Sequence, residues 1–219
     1  MNYNLIRSNR RSVALVVDRQ GILVVRAPKF AALGEIERFV AQKRGWIEKH
    51  QRAAAEFNRR KKQYIEGEKF LFLGQEYPLR IVDGHQRRLV FNQREFLLSA
   101  PQAGAGKELF VRWYRRQAGD LFPKRAEFWQ QKMGVNYKKL TVTGANTRWG
   151  SCSGRGTINF SWRLMAMPPE VIDYVVIHEL AHLAHHNHSP KFWDLVGRFC
   201  PDFKLSKKWL NSRGKNPIL

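Results

Sequence analysis

The sequence predicts an α+β fold. Short Val/Leu/Ile-rich runs bounded by Gly, Asn and Asp turn signals fill residues 12–26 and 69–99, whereas apolar residues at helical spacing mark 33–62, 107–133 and 168–183. The second half reads helix, strands, helix, without the regular alternation that builds a parallel α/β sheet.

In chain order, residues 12–26 are two strands around the turn Asp18-Arg19-Gln20-Gly21. From Leu33 to about Lys62, Ile36, Phe39, Val40, Trp46, Ile47, Ala53, Ala54 and Phe57 recur on a helical period, with Gly45 a possible break. Short strands follow over 69–99, with turns at Gly74-Gln75, Asp83-Gly84 and Asn92-Gln93. Pro101–Gly106 is the candidate linker. A helix over Lys107–Met133 is expected to be interrupted at Pro123. Strands at 139–143 and 156–165 then enclose a polar loop over Asn146–Ser153. The domain reading is a strand-rich basic part over 1–100 with one long helix, and a second domain over 105–219.

With 219 residues, 43% hydrophobic and 12% aromatic, the chain can bury a core, and a disordered basic tail is excluded. No apolar run approaches the roughly 18 residues of a membrane span, and the first residues lack a secretory signal pattern. Two cysteines, Cys152 and Cys200, are too few for a disulfide scaffold. The expectation is a cytoplasmic protein without membrane attachment. The net charge is +21, from 39 Lys+Arg against 18 Asp+Glu. It is weighted toward the N-terminal two thirds, where Arg59-Arg60-Lys61-Lys62 is densest. Such a surface could bind a nucleic-acid backbone or steer an anionic substrate.

Five of the seven histidines lie between 178 and 188, and two of them form His178-Glu179-Leu180-Ala181-His182, an HExxH pattern. Pro168 and Pro169 can start a helix here. Val171, Ile172, Tyr174, Val175, Val176, Ile177, Leu180 and Leu183 make it apolar on nearly every face, so it belongs inside the protein. Positions i and i+4 share a face, so His178 and His182 can present two imidazoles to one ion, with Glu179 placed to reach a water. Catalytic zinc takes a third protein ligand and keeps an open position. His185, at i+7, sits roughly 10 Å further along the axis than His178, too far for a straight helix to bring both to one ion. His188 follows Asn187 and precedes Ser189-Pro190, a cap and first-turn proline for another helix, so it lies where the chain turns back. The predicted ligands are therefore His178, His182 and His188, with Glu179 as acid/base. Arg148, Asn146 and His186 are candidate oxyanion donors, and Trp149 with Gly150 candidate cleft residues. Phe192 and Trp193 are expected to pack the helix that starts at Ser189-Pro190 onto the HExxH helix, and Cys152 to be non-ligating.

At Thr147-Arg148-Trp149-Gly150-Ser151-Cys152, Ile158-Asn159-Phe160, Tyr174–His182, Asn187-His188-Ser189 and Phe192-Trp193, the chain resembles the YgjP-like family of zincin metallopeptidases over residues 145–211. More distantly, HELAH with a histidine six residues on is similar to the SprT-like proteases that act on protein–DNA crosslinks. The spacing of the third histidine also resembles metzincins, which require Gly where this chain has His185. The resemblance implies a zincin-like core, its HExxH helix against a small sheet, with Zn2+ on the three histidines and a peptide or protein substrate. Two alternatives keep the metal. One is a pyrophosphohydrolase acting on a UTP-like nucleoside triphosphate. The other is a protease recruited to nucleic acid by the basic N-terminal part.

Overall fold

The structure is a computed structural model that describes residues 2–18, 20–59, 62–84, 88–99, 105–213 and 219. Compactness divides the chain into Met1–Lys61 and Lys62–Leu219, not at the 101–106 segment from which the sequence reading drew its boundary. Residues 101–104 lie outside the described residues.

In the first unit, β1 (Asn4–Ser8), β2 (Ala14–Val17) and β3 (Leu23–Pro28) form a sheet in the order β1-β3-β2. β1 runs parallel to β3, and β2 antiparallel to it through the expected turn. Asp18 organises that turn: its Oδ1 accepts from the Gln20 and Ile22 amides at 2.9 and 2.8 Å. Gly21 supplies the left-handed residue at φ +86°. Where the domain reading has one long helix there are two, α1 (Leu33–Gln42) and α2 (Arg44–Arg59). The break falls at Lys43, whose amide is shared between the Phe39 and Val40 carbonyls, the tightened geometry of a helix end, and Gly45 lies inside α2. Leu23, Val25 and Ala27 of β3 with Ile36, Val40 and Ile47 make this unit's core.

In the second unit, β4 (Lys69–Phe72), β5 (Gln75–Ile81), β6 (Arg88–Phe91) and β7 (Phe96–Ser99) form a sheet in the order β4-β5-β7-β6, with β5 and β7 parallel. The β4–β5 turn uses Leu73 and Gly74, both at positive φ. It is seated against the chain before the next-but-one helix: the Leu73 amide donates to the Met165 carbonyl at 2.8 Å, and a Cβ on Gly74 would lie 2.8 Å from Cγ of Pro168. Phe70, Leu79, Phe96 and Leu98 of this sheet share one core with the helices that follow, which is why the strands over 69–99 belong to the second unit.

α3 (Gly106–Met133) continues through Pro123, against the expected interruption. A proline inside a helix costs about 3 kcal/mol, but Phe110, Tyr114, Ala118, Phe122 and Ala126 recur every four residues and are all buried, so ending the helix there would expose one face of the core. β8 (Lys139–Thr143), β9 (Gly150–Cys152) and β10 (Thr157–Ser161) form a sheet in the order β8-β10-β9, parallel on one side of β10 and antiparallel on the other. Two expectations are corrected here. The polar loop contains a strand, since β9 pairs Gly150 with Phe160 and Cys152 with Ile158. The last strand ends at Ser161, where the Ser161 hydroxyl accepts from the Arg163 amide and starts a 3-10 turn over Trp162–Ala166. α4 (Pro169–Ala184), α5 (Pro190–Phe199) and α6 (Phe203–Arg213) complete the chain. Arg125 of α3 forks onto Asp173 of α4, with Nε to Oδ1 at 2.6 Å and Nη2 to Oδ2, which fixes the orientation of α4 against its longest neighbour. Among the described residues no helix is long and apolar enough to cross a membrane.

Candidate functional site

α4 carries the HExxH residues and is buried on nearly all sides: Val171, Ile172, Tyr174–Ile177 and Glu179–Ala181 are buried. It begins with proline at its first positions and ends at His185, whose extended backbone breaks the helical path. The chain then reverses so that α5 starts at Pro190 after Ser189, as the sequence predicts, and His188 returns toward α4. One nitrogen from each of His178, His182 and His188 lies within 4.8 Å of the others. The Nε2 atoms of His178 and His188 face each other at 3.2 Å. Two ring nitrogens of a tetrahedral zinc site, each about 2.0–2.1 Å from the ion, are about 3.3–3.4 Å apart, so this pair has the spacing of two ligands of one ion.

The ring environments keep the lone pairs available. The Nδ1–H of His182 donates to the His185 carbonyl at 3.1 Å, which fixes the tautomer and leaves Nε2 unprotonated. Burial, reinforced by the neighbouring His182, His188 and Lys207, lowers the His178 pKa to about 3. Burial also lowers that of His182, against the raising effect of its bond to the His185 carbonyl. Beneath the three rings lies Phe192 of α5, fully buried, with its centroid 5.0, 4.6 and 4.8 Å from those of His178, His182 and His188. The sequence reading gave Phe192 only helix packing; it is the floor shared by all three imidazoles. These observations fit a metal: one nitrogen from each of three imidazoles converges, and the hydrogen bond from His182 Nδ1 leaves its Nε2 lone pair free to coordinate.

Glu179 is the buried acid beside them, only 6% exposed. Burial pushes its pKa up to about 8, and the Arg148 guanidinium draws it part of the way back. Its carboxyl lies against Gly150 at the start of β9: a Cβ there would sit 2.6 Å from Oε1 and 2.7 Å from Cγ. Gly150 is not at positive φ, so glycine is required by the close approach and not by backbone conformation. A cleft of ≈ 280 Å³ opens over His178 and Glu179, lined by Arg148, Trp149, Gly150, Tyr174, Val175, Lys207, Leu210 and Asn211. Of the sequence-predicted residues, the structure thus brings His178, Glu179, His182, His188, Arg148 and Trp149 together. Asn146 and His186 are exposed and do not line the cleft. His185 takes part through its carbonyl. Lys207, Leu210 and Asn211 were missed; they arrive on α6, whose sequence carries nothing that distinguishes these positions from an ordinary amphipathic helix.

Three converging imidazoles beside a buried carboxyl, at the base of an open cleft, have the chemistry of a metal-dependent hydrolase. Residues 11–213 match the YgjP-like metallopeptidase domain, and the chain belongs to that family. A metal-dependent peptidase is therefore its class, with a metal, typically zinc, as the implied cofactor. Among solved structures the chain is similar to the metallopeptidase zymogen of Pyrococcus abyssi abylysin, at 22% identity and a TM-score of 0.40, over 44% of this chain and 98% of that one. No curated protein matches it.

Proposed function

We propose that the protein is a zinc peptidase in which His178, His182 and His188 hold the metal and Glu179 is the acid/base. The observation that carries this reading is the convergence of three ring nitrogens within 4.8 Å beside a carboxyl that is 6% exposed. Zinc bound there would polarise the scissile carbonyl and acidify a water. The chain's own groups do the rest. His182 is locked in the ligating tautomer by the His185 carbonyl, and Phe192 holds the three rings at their mutual angles. Glu179, with a pKa pushed up to about 8, accepts the proton of the attacking water at its carboxylate and returns it to the leaving amine, a cycle that favours a group poised near neutrality. Arg148, whose charge opposes that upward shift, keeps a share of the carboxylate ionised for the first transfer. Trp149 and Tyr174 line the cleft beside the acid/base. Protein purified without chelator should contain about one zinc per chain. Glu179→Gln should retain it while peptide hydrolysis falls by about 10²–10⁴-fold. Loss of the metal together with activity would assign Glu179 a structural part instead, and hydrolysis of nucleoside triphosphates but no peptide would change the electrophile.

A further inference from the structure

The cleft over His178 and Glu179 is edged by two cations from separate elements, Arg148 before β9 and Lys207 on α6. Both are exposed, and neither makes an ion pair among the described residues. Lys207 is nonetheless held in place. Its Nζ lies 4.7 Å over the Trp193 ring, and Trp193 stacks on Phe203 at 5.1 Å and 17° and on His188 at 5.6 Å and 22°. A continuous stack of rings therefore runs from the metal-site imidazole to the ammonium. The same Lys207 lines an adjoining open concavity of ≈ 700 Å³ with Trp193, Asp194, Gly197, Phe203 and Lys204. α6 itself carries three lysines, one arginine and no acid.

A surface lysine normally loses little by pairing with a carboxylate nearby; this one is fixed by aromatic contacts at the edge of a cleft whose own carboxyl, Glu179, is not ion-paired with it. An ammonium is a compact point charge with three donors, suited to a single carboxylate that reaches it from the reacting site. We infer that Lys207 is a specificity residue that binds a substrate carboxylate close to the scissile bond, with Arg148 as the second cation of the same cleft. The inference rests on the reading of the site as a peptidase, because a peptide's anions are carboxylates. They come from two sources, an Asp or Glu side chain and a free C-terminus.

The test uses the metal-loaded enzyme and fluorogenic peptides of one sequence, with Asp or Asn beside the scissile bond and with a free or an amidated C-terminus. One of the two pairs should favour its carboxylate member about tenfold in kcat/KM, chiefly through KM, and high salt should shrink that ratio. Which pair responds identifies the source. In Lys207→Gln the ratio should fall to near one, and in Lys207→Glu it should invert. A readout without turnover is the calorimetric affinity of the favoured peptide for metal-loaded Glu179→Gln, expected to drop about tenfold when Lys207→Gln is added. Cleavage with no preference in either pair, or a preference that survives Lys207→Gln, overturns the inference and leaves the peptidase reading intact. Neither cleavage nor binding of any peptide, with tight binding of a nucleoside triphosphate in its place, overturns both.

Discussion

Gly150→Ala isolates the dependence of the site on one contact. The added Cβ would stand 2.6 Å from Oε1, 2.7 Å from Cγ and 2.9 Å from Cδ of Glu179, against ordinary contacts of 3.4 Å and more. A displacement of about 0.8 Å is therefore forced on the carboxyl or on β9, and overpacking of this kind costs about 1–3 kcal/mol. Glu179 stands on a helix buried on nearly all sides, so its backbone cannot retreat. β9 is an edge strand of its sheet and gives more easily, but it carries Gly150 into the cleft beside Arg148 and Trp149. Either movement misplaces the acid/base relative to the three imidazoles. A shift of about 1 Å in a reacting group can cost about 100-fold, so kcat/KM should fall by about that factor. Zinc content should stay at about one per chain, because the three atoms nearest the new methyl all belong to Glu179 and none to a histidine. The assay is hydrolysis of a fluorogenic peptide beside metal analysis of the same preparation. Activity within twofold of wild type would refute the claim that the Glu179–Gly150 contact positions the carboxyl; loss of zinc would show that the damage spreads beyond it.

Two further outcomes are expected. In metal-free protein Glu179 holds its proton to about pH 8 when folded but only to about 4.3 when unfolded. The folded state therefore binds the extra proton across that window, and stability falls as pH rises through it. Glu179→Gln removes this dependence, so the melting temperature of the wild type should decline relative to the variant between about pH 4.5 and 8; a constant difference would mean that the carboxyl is not so perturbed. Phe192→Ala should destabilise the protein by about 3–5 kcal/mol, as expected for a fully buried aromatic. It should also weaken zinc retention against a competing chelator, whereas Phe192→Leu should recover most of the stability and much of the retention. Equal zinc affinity in Phe192→Ala would remove the ring's part in holding the imidazoles.

The parts of this protein that could be read in its sequence are those governed by local geometry. An i, i+4 pair of histidines shares a helix face whatever surrounds it, and a continuous apolar run around that pair can only be buried. His188 was legible because Asn187 and Ser189-Pro190 mark a turn followed by a new helix. The Asp18–Gly21 hairpin was legible because its turn chemistry is local too. What misled were cases where a local preference opposed the core. Pro123 argues for a helix end, yet α3 passes through it because Phe110, Tyr114, Ala118, Phe122 and Ala126 need one unbroken face. The segment 146–153 has loop composition, yet its second half pairs with β10 because that strand has a free edge. Packing decided the rest, by bringing together groups far apart in the chain. Gly150 lies 29 residues before the carboxyl it accommodates, Phe192 reaches all three imidazoles from another helix, and Lys207 enters the cleft from α6. The identity of the reacting groups belongs to the sequence, because spacing on a helix is short-range. Their positions, their protonation and the charge they face belong to the tertiary structure, because burial and proximity arise only when the elements pack.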